Sequence, residues 1–359
     1  MKTTYRLGTR GSALALTQST LAARHVESLA PAVEFELTTV KTEGDVLTGA
    51  LATLGGTGVF AATLRQRLLD NGVDMAVHSL KDLPSAPCPG LIVAAVLERE
   101  DPRDALVARD GLTLDTLPTG STVGTGSPRR AAQVRALRPD LDVIDIRGNV
   151  GTRIARVKGL EEHGNRQVVL HEGTETNQQA DTGVGAELAG DCDAVVLAVS
   201  GLKRLGKEEL ITEYLDPTRM LPAPGQGALA LEVRESEYAM TRDPSQAEPG
   251  EAIAEHSERS LGAALLAADH AETRLAVTAE RALLRRLEAG CAAPIGAYAQ
   301  IIEGDLVLNA VVASIDGTQL LRHSSAVSEP DVAAAYRLGV RVAEDLLQLG
   351  AADLAELSV

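Results

Sequence analysis

The chain has 359 residues, with 34 basic against 50 acidic side chains and a formal net charge of -16, a balance that excludes a broad nucleic-acid-binding surface and confines anion recognition to local clusters. At this length two or three domains are expected, each large enough for its own core. Three widely spaced cysteines, Cys88, Cys192 and Cys291, exclude a disulfide framework, and with no signal-like N-terminus and no 18-residue apolar run they point to a reducing, cytoplasmic setting.

Tyr5 to Thr9 reads as a strand, and Ser12 is placed to N-cap a helix through Leu14, Gln18 and Leu21. Val59 to Leu69 has helical spacing with Asn71-Gly72 as a left-handed stop, and Val73, Met75 and Val77 alternate as a strand that delivers His78-Ser-Leu-Lys81-Asp82 to its end. From Ser121 a short strand leads through a glycine turn to Ser127, with Pro128 at the first helical position. Val143 to Ile146 is a strand ending at Arg147, and Ala194 to Val199 is an apolar strand followed by Ser200-Gly-Leu-Lys-Arg204. Alternation of this kind predicts mainly parallel sheets covered on both faces. Pro-rich punctuation near 98–102 and 221–227 marks crossings between domains. Glu280 to Glu288 is helical, Ile301 to Ala313 and Gln319 to His323 are strands with turns at Glu303-Gly-Asp and Asp316-Gly317, and Asp331 to Leu347 is a final helix, so the last part is a small α+β domain.

Arg10, Lys81, Asp82, Arg129, Arg147 and Arg204 all fall just past expected strand ends, where ligands gather in open parallel sheets. Planar arginine forks match carboxylates two bonds at a time, so a carboxylate-rich ligand is the expected occupant. Ser127-Pro-Arg129-Arg130 combines helix-start amides with two guanidiniums; it reads as an anion site or as a surface helix start with solvated arginines. Asp82 is either a turn residue before Pro84 or a carboxylate that stabilises a developing cation and moves protons on nitrogen. Among the strand-end positions it is the only acidic residue expected. Cys291, behind a glycine stop and before Ala-Ala-Pro, is either an inert small hydrophobe or a thiol for covalent work. The seven histidines show no metal spacing, so no metal is expected.

Only six of the 34 basic residues are lysine, and acidic side chains are dense in 161–193 and 235–258. A salt-loving source with an acidic surface is the expectation. Its melting temperature should rise with added salt, because screening relieves self-repulsion; a flat response would defeat this reading.

Taken together, Thr9-Arg-Gly-Ser-Ala-Leu-Ala-Leu16, Ala76-Val-His-Ser-Leu-Lys-Asp82, Glu98-Arg-Glu-Asp-Pro-Arg-Asp104, Arg147-Gly-Asn-Val-Gly-Thr-Arg153, Leu221-Pro-Ala-Pro-Gly-Gln-Gly-Ala228 and the Cys291 loop strongly resemble the porphobilinogen deaminase (hydroxymethylbilane synthase) family, in family order from about Leu7 to the last helix. The resemblance implies two periplasmic-binding-protein-like α/β domains around a cleft plus a small C-terminal α+β domain. The expected spans are 1–98 with 227–250, then 103–222 with an acidic insertion at about 157–193, then 271–359. It implies a covalent dipyrromethane cofactor on Cys291 through a thioether. Four porphobilinogens are then joined head to tail with loss of ammonia, and water releases the linear tetrapyrrole.

Asp82 matches the catalytic aspartate, which supports an electrophilic azafulvene. Lys81, Ser127, Arg129, Arg130, Arg147, Arg153 and Arg204 match cofactor-binding positions. Arg10, Ser12, Gln18 and Phe60, with Arg147 and Arg153, match substrate-binding ones. Thr53 and Thr57 stand where the family often has lysines. The family implies a monomeric transferase of heme biosynthesis with a small-molecule substrate and neither nucleic-acid nor membrane partner. The rival class is a non-catalytic carboxylate-binding module of the same two-domain shape, which leaves Asp82 and Cys291 without a purpose.

Overall fold

The computed structural model describes residues 2–40, 58–164, 190–242, 260–287 and 293–355. The chain opens with β1 (Thr3–Thr9), α1 (Ala13–Leu29), β2 (Val33–Thr39), α2 (Gly58–Leu69), β3 (Met75–Ser79) and β4 (Leu91–Val96). It crosses to β5 (Asp104–Ala108), β6 (Thr122–Gly124), α3 (Pro128–Leu137), β7 (Asp142–Ile144), α4 (Val150–Ile154), β8 (Ala194–Ala198), α5 (Val199–Arg204) and β9 (Glu213–Leu215). A second crossing returns it to β10 (Leu229–Arg234), α6 (Glu235–Arg242) and α7 (Leu261–Ala268). The last part is α8 (Ala271–Arg286), β11 (Ile295–Ile302), β12 (Asp305–Ala313), β13 (Leu320–Val327), α9 (Val332–Gln348) and α10 (Ala351–Leu354).

Local chemistry explains many of these boundaries. Ser12 accepts a hydrogen bond from Ala15 N at 3.3 Å and starts α1, as a short hydroxyl cap should. Asn71, at φ 56°, turns the chain after α2, and Asp331 accepts from Ala334 N to start α9. α8 begins at Ala271 rather than at Glu280, because His270 supplies an imidazole cap to Thr273 N, a residue outside the usual capping set. Met75, Ala76, Val77 and His78 are all buried, so β3 is covered on both faces and its apolar alternation does not mark a solvated side.

Among the described residues three sheets form. The first has the order β2-β1-β3-β10-β4, with β1 parallel to β2 and β3, and β10 antiparallel to β3 and β4. The second has the order β7-β6-β8-β5-β9, with β6 parallel to β7 and β8, and β5 antiparallel to β8 and β9. In each sheet the reversed strand is the one that follows a crossing. Separate apolar clusters fill the first lobe (around Leu7, Met75 and Leu231) and the second (around Leu106, Val123 and Val196). A third cluster joins α8 and α9 to the antiparallel β11-β12-β13 sheet. No helix among the described residues is long and apolar enough to cross a membrane.

The two crossings run side by side, tied by Leu97 N to Leu229 O at 3.1 Å and Glu100 N to Gly227 O at 3.3 Å. Gly227 sits at φ 92°, and a Cβ there would meet Glu100 O at 2.2 Å. Glycine is what lets the two crossings approach so closely.

Candidate active site

Parallel register places Arg10 and Lys81 at neighbouring strand ends, since Gly8 of β1 pairs with Ala76 of β3. Lys81 and Asp82 form a single 3-10 turn directly after β3, with Leu80 buried beneath and the Asp82 side chain exposed. In the second lobe, the ends of β6, β7 and β8 lead to Ser127, Arg147 and the helix that carries Arg204. Leu14, in the first turn of α1, faces Gly201 of α5, so the two lobes meet beside the site.

The acidic inventory of this edge differs from expectation. Because β5 is antiparallel, its first residue Asp104 lies opposite Ala198, the last residue of β8, and Asp145 follows β7 and pairs with Arg147 at 3.0 Å. Asp82 is thus not the only carboxylate at the strand ends. The reversal of β5 is a long-range property that no local pattern announces.

Arg129 and Arg130 also differ from solvated forks at a helix start. They are 4% and 5% exposed, and both clamp the fully buried Asp104: Arg129 Nη1 to Oδ2 at 2.7 Å, Arg130 Nε to Oδ1 at 2.9 Å. Arg129 Nη1 donates also to Leu221 O at 2.6 Å, and Arg130 Nη1 to Val196 O at 3.1 Å. Burial alone would raise the Asp104 carboxyl, but the two adjacent guanidiniums hold it well below the usual carboxylate range. A buried carboxylate facing two buried cations is therefore ionised. Ser127 occupies the N-cap position of α3 but makes no side-chain capping bond.

Gln226 joins the two lobes. It is fully buried; its Nε2 donates to Pro102 O at 2.7 Å and to Asp104 Oδ1 at 2.9 Å, and its Oε1 accepts from Lys81 Nζ at 3.3 Å and Arg130 Nη2 at 3.4 Å. Glu280 of α8, also fully buried, accepts from Arg99 Nη1 at 2.6 Å, Gly225 N at 2.6 Å and Ala299 N at 2.8 Å. Neither was singled out in the sequence. Gln226 was legible only as part of the proline-rich crossing, and Glu280 only as a position on a helix.

The remaining cations line the opening. Arg204 Nη2 donates to Gly227 O at 2.6 Å, and Arg153 Nε to Gly148 O at 2.8 Å. Arg147 is largely solvent-exposed. Gln18 is buried on the inner side of α1. Cys291, Thr53 and Thr57 lie outside the described residues, as does the side chain of Phe60 and most of the acidic insertion.

These charges act on one another. Burial pushes Lys81 down to about 8; Arg130 and Arg129 add to that effect, and Asp82 and Asp104 oppose it. Burial likewise brings Arg153 to about 10, with Arg130 and Arg147 contributing and Asp145 and Asp82 opposing. Burial lowers Arg204, opposed by Glu100. The Lys81 charge is thus half lost near pH 8, nearly complete a unit below and fading above. Affinity for a carboxylate ligand should be greatest on the acidic side and fall as pH rises through that value, since the bound carboxylate holds the proton on more tightly. Lys81→Arg keeps its charge and should flatten the pH profile of kcat/KM between about pH 7 and 9; an unchanged slope would exclude Lys81 as its source.

Fold and site together define a two-lobed α/β protein with cations gathered at the strand ends where the lobes meet. The family profile described as "Porphobilinogen deaminase, dipyromethane cofactor binding domain" matches residues 5–171 and 180–242, and "Porphobilinogen deaminase, C-terminal domain" matches residues 274–348. The chain is 50% identical to a porphobilinogen deaminase of Micrococcus luteus, covering 96% of this chain and 93% of that one. It is 49% identical to one of Cutibacterium acnes, covering 98% and 97%. A TRAP periplasmic solute binding protein from Roseobacter denitrificans aligns with a TM-score of 0.34 at 8% identity over 74% of this chain and 78% of that one, too remote to bear on the assignment. The chain belongs to the porphobilinogen deaminase family, whose members are transferases.

Proposed function

We propose that the cleft joins four porphobilinogen molecules head to tail onto a dipyrromethane primer, with loss of ammonia, and releases linear hydroxymethylbilane by hydrolysis. The observation that carries this reading is the surplus of cations around an exposed carboxylate. Lys81, Arg153 and Arg204 are all held below their ordinary values by burial, and Lys81 and Arg153 are lowered further by neighbouring guanidiniums. Arg129 Nε is buried with no hydrogen-bond partner among the described residues. A ligand with two carboxylates on every ring supplies the missing negative charge, so these residues fit the primer.

Lys81, Ser127, Arg129, Arg147, Arg153 and Arg204 would hold the primer, with Arg130 adding charge from within the wall. When bound, the dipyrromethane supplies the pyrrole carbon to which new rings are joined. Arg10, Ser12, Gln18 and Phe60, with Arg147 and Arg153, receive the incoming substrate. Asp82 accepts the substrate pyrrole N–H at its carboxylate, which stabilises the positive charge that builds on the ring as ammonia departs. The same carboxylate takes up the proton released when the new carbon–carbon bond restores the aromatic ring. A binding module that performs no chemistry would need the arginines but not this exposed carboxylate.

In the same reading the thioether forms at Cys291 and the chain divides into three domains, 1–98 with 227–250, 103–222 and 271–359; a cytoplasmic monomer is part of it. Intact mass tests the core of it. Wild type should exceed its polypeptide mass by two linked pyrrole units and gain further units on mixing with substrate, whereas Cys291→Ser should carry no stable addition. A wild-type protein at its bare polypeptide mass would sink the assignment.

A further inference from the structure

We propose that Arg281 is a positioning residue that sets the Lys81–Asp82 turn against the helix leading to Cys291. The inference rests on the roles given above to Asp82 and Cys291. α8 lays one face along the first lobe. Thr273 Oγ1 accepts from Arg99 N at 3.1 Å, Arg274 donates to Val93 O at 3.1 Å and Ala94 O at 2.9 Å, and Val277 shares a buried cluster with Leu80 and Leu83. Positions 273, 277 and 281 recur every fourth residue and so share that face.

Arg281 makes the last contact of the series. Its Nη1 donates to Leu80 O at 3.2 Å and Leu83 O at 2.8 Å, and its Nη2 to Pro84 O at 2.6 Å. Leu80 precedes Lys81 and Asp82, and Leu83 and Pro84 follow them, so one planar fork grips both ends of the turn that carries the exposed carboxylate. The opposite face of α8, through Ala276, Ala279, Leu283 and Leu287, is built into the C-terminal core. From Leu287 the sequence reaches Cys291 in four residues. The planar guanidinium of Arg281 therefore ties the helix before the attachment cysteine to the backbone of the catalytic turn.

Lysine cannot reproduce this contact, because its ammonium is a point charge on a flexible stem. Lys81, Asp82 and Pro84 reach solvent, whereas Leu80 and Leu83 are buried and their carbonyls would lose this donor. Loss of the fork should then displace Asp82 without unfolding the protein, and small misplacements of a catalytic group are costly to rate.

The test uses Arg281→Ala and Arg281→Lys in the cofactor-loaded enzyme. Both variants should show the primer mass and melt within a few degrees of wild type. Their kcat should fall by roughly 10- to 100-fold with KM changed by no more than about threefold, and methylguanidinium should restore part of the Arg281→Ala rate. Wild-type kcat in either variant would overturn the proposal, as would a loss that follows melting temperature and ignores methylguanidinium. If Arg281→Ala does not fold, kcat and KM of Arg281→Lys decide the matter by the same split. Primer mass on wild type, read from the same spectra, separates a failure of the Cys291 assignment from a failure of this one.

Discussion

Asp104→Ala is expected to destabilise the protein by about 3–5 kcal/mol, because removing one member of a buried ionic cluster leaves the others charged and unpaired. Here two guanidiniums would be stranded at once, and Gln226 Nε2 would lose an acceptor. Equilibrium urea unfolding measures the loss, and a shift of less than about 1 kcal/mol would show that Arg129 and Arg130 find other partners. Arg147→Leu removes an exposed pair with Asp145 and should leave stability almost unchanged, since exposed ion pairs contribute little. The pH dependence has a defined sign. Asp104 has a folded value below its ordinary one of 3.8, so its contribution is complete above about pH 4 and is lost only as pH falls toward the folded value.

The same cluster shows where the sequence could be read and where it could not. Ser12, Asn71 and the Ser127-Pro128 helix start were legible because caps and left-handed stops depend on one or two neighbouring residues. The site motifs around Lys81, Arg147 and Arg153 were legible as strand-end clusters and as a family pattern. Asp104 was not, because its place opposite β8 depends on β5 running backwards after the first crossing. The two positive charges in the first turn of α3 oppose the helix dipole; Asp104 compensates them from another strand. Gln226 and Arg281 act through contacts across 145 and about 200 residues of chain respectively, a separation at which local composition carries no signal. Cys291 was inferred from its loop and family context, and it lies outside the described residues.

Asp82→Asn should lower kcat by roughly 10²- to 10⁴-fold, the range expected when a positioned proton-transfer group is neutralised. The substitution keeps size and shape, and the Asp82 side chain is exposed, so neither folding nor primer loading should suffer. Lys81 should move further down, because the Asp82 charge is one of the influences that hold its proton. The pH at which the Lys81 charge is lost should therefore shift toward acid in Asp82→Asn, a change that simple loss of a catalytic base would not produce. Single-turnover mixing followed by intact mass separates the steps: the loaded variant should bind substrate yet add the first ring slowly. Turnover at the wild-type rate would remove Asp82 from the mechanism, and an acid shift without loss of turnover would confine it to tuning Lys81. In this arrangement the buried Asp104 keeps two arginines in the wall, Gln226 bonds Lys81 beside them, and Asp82 is left exposed.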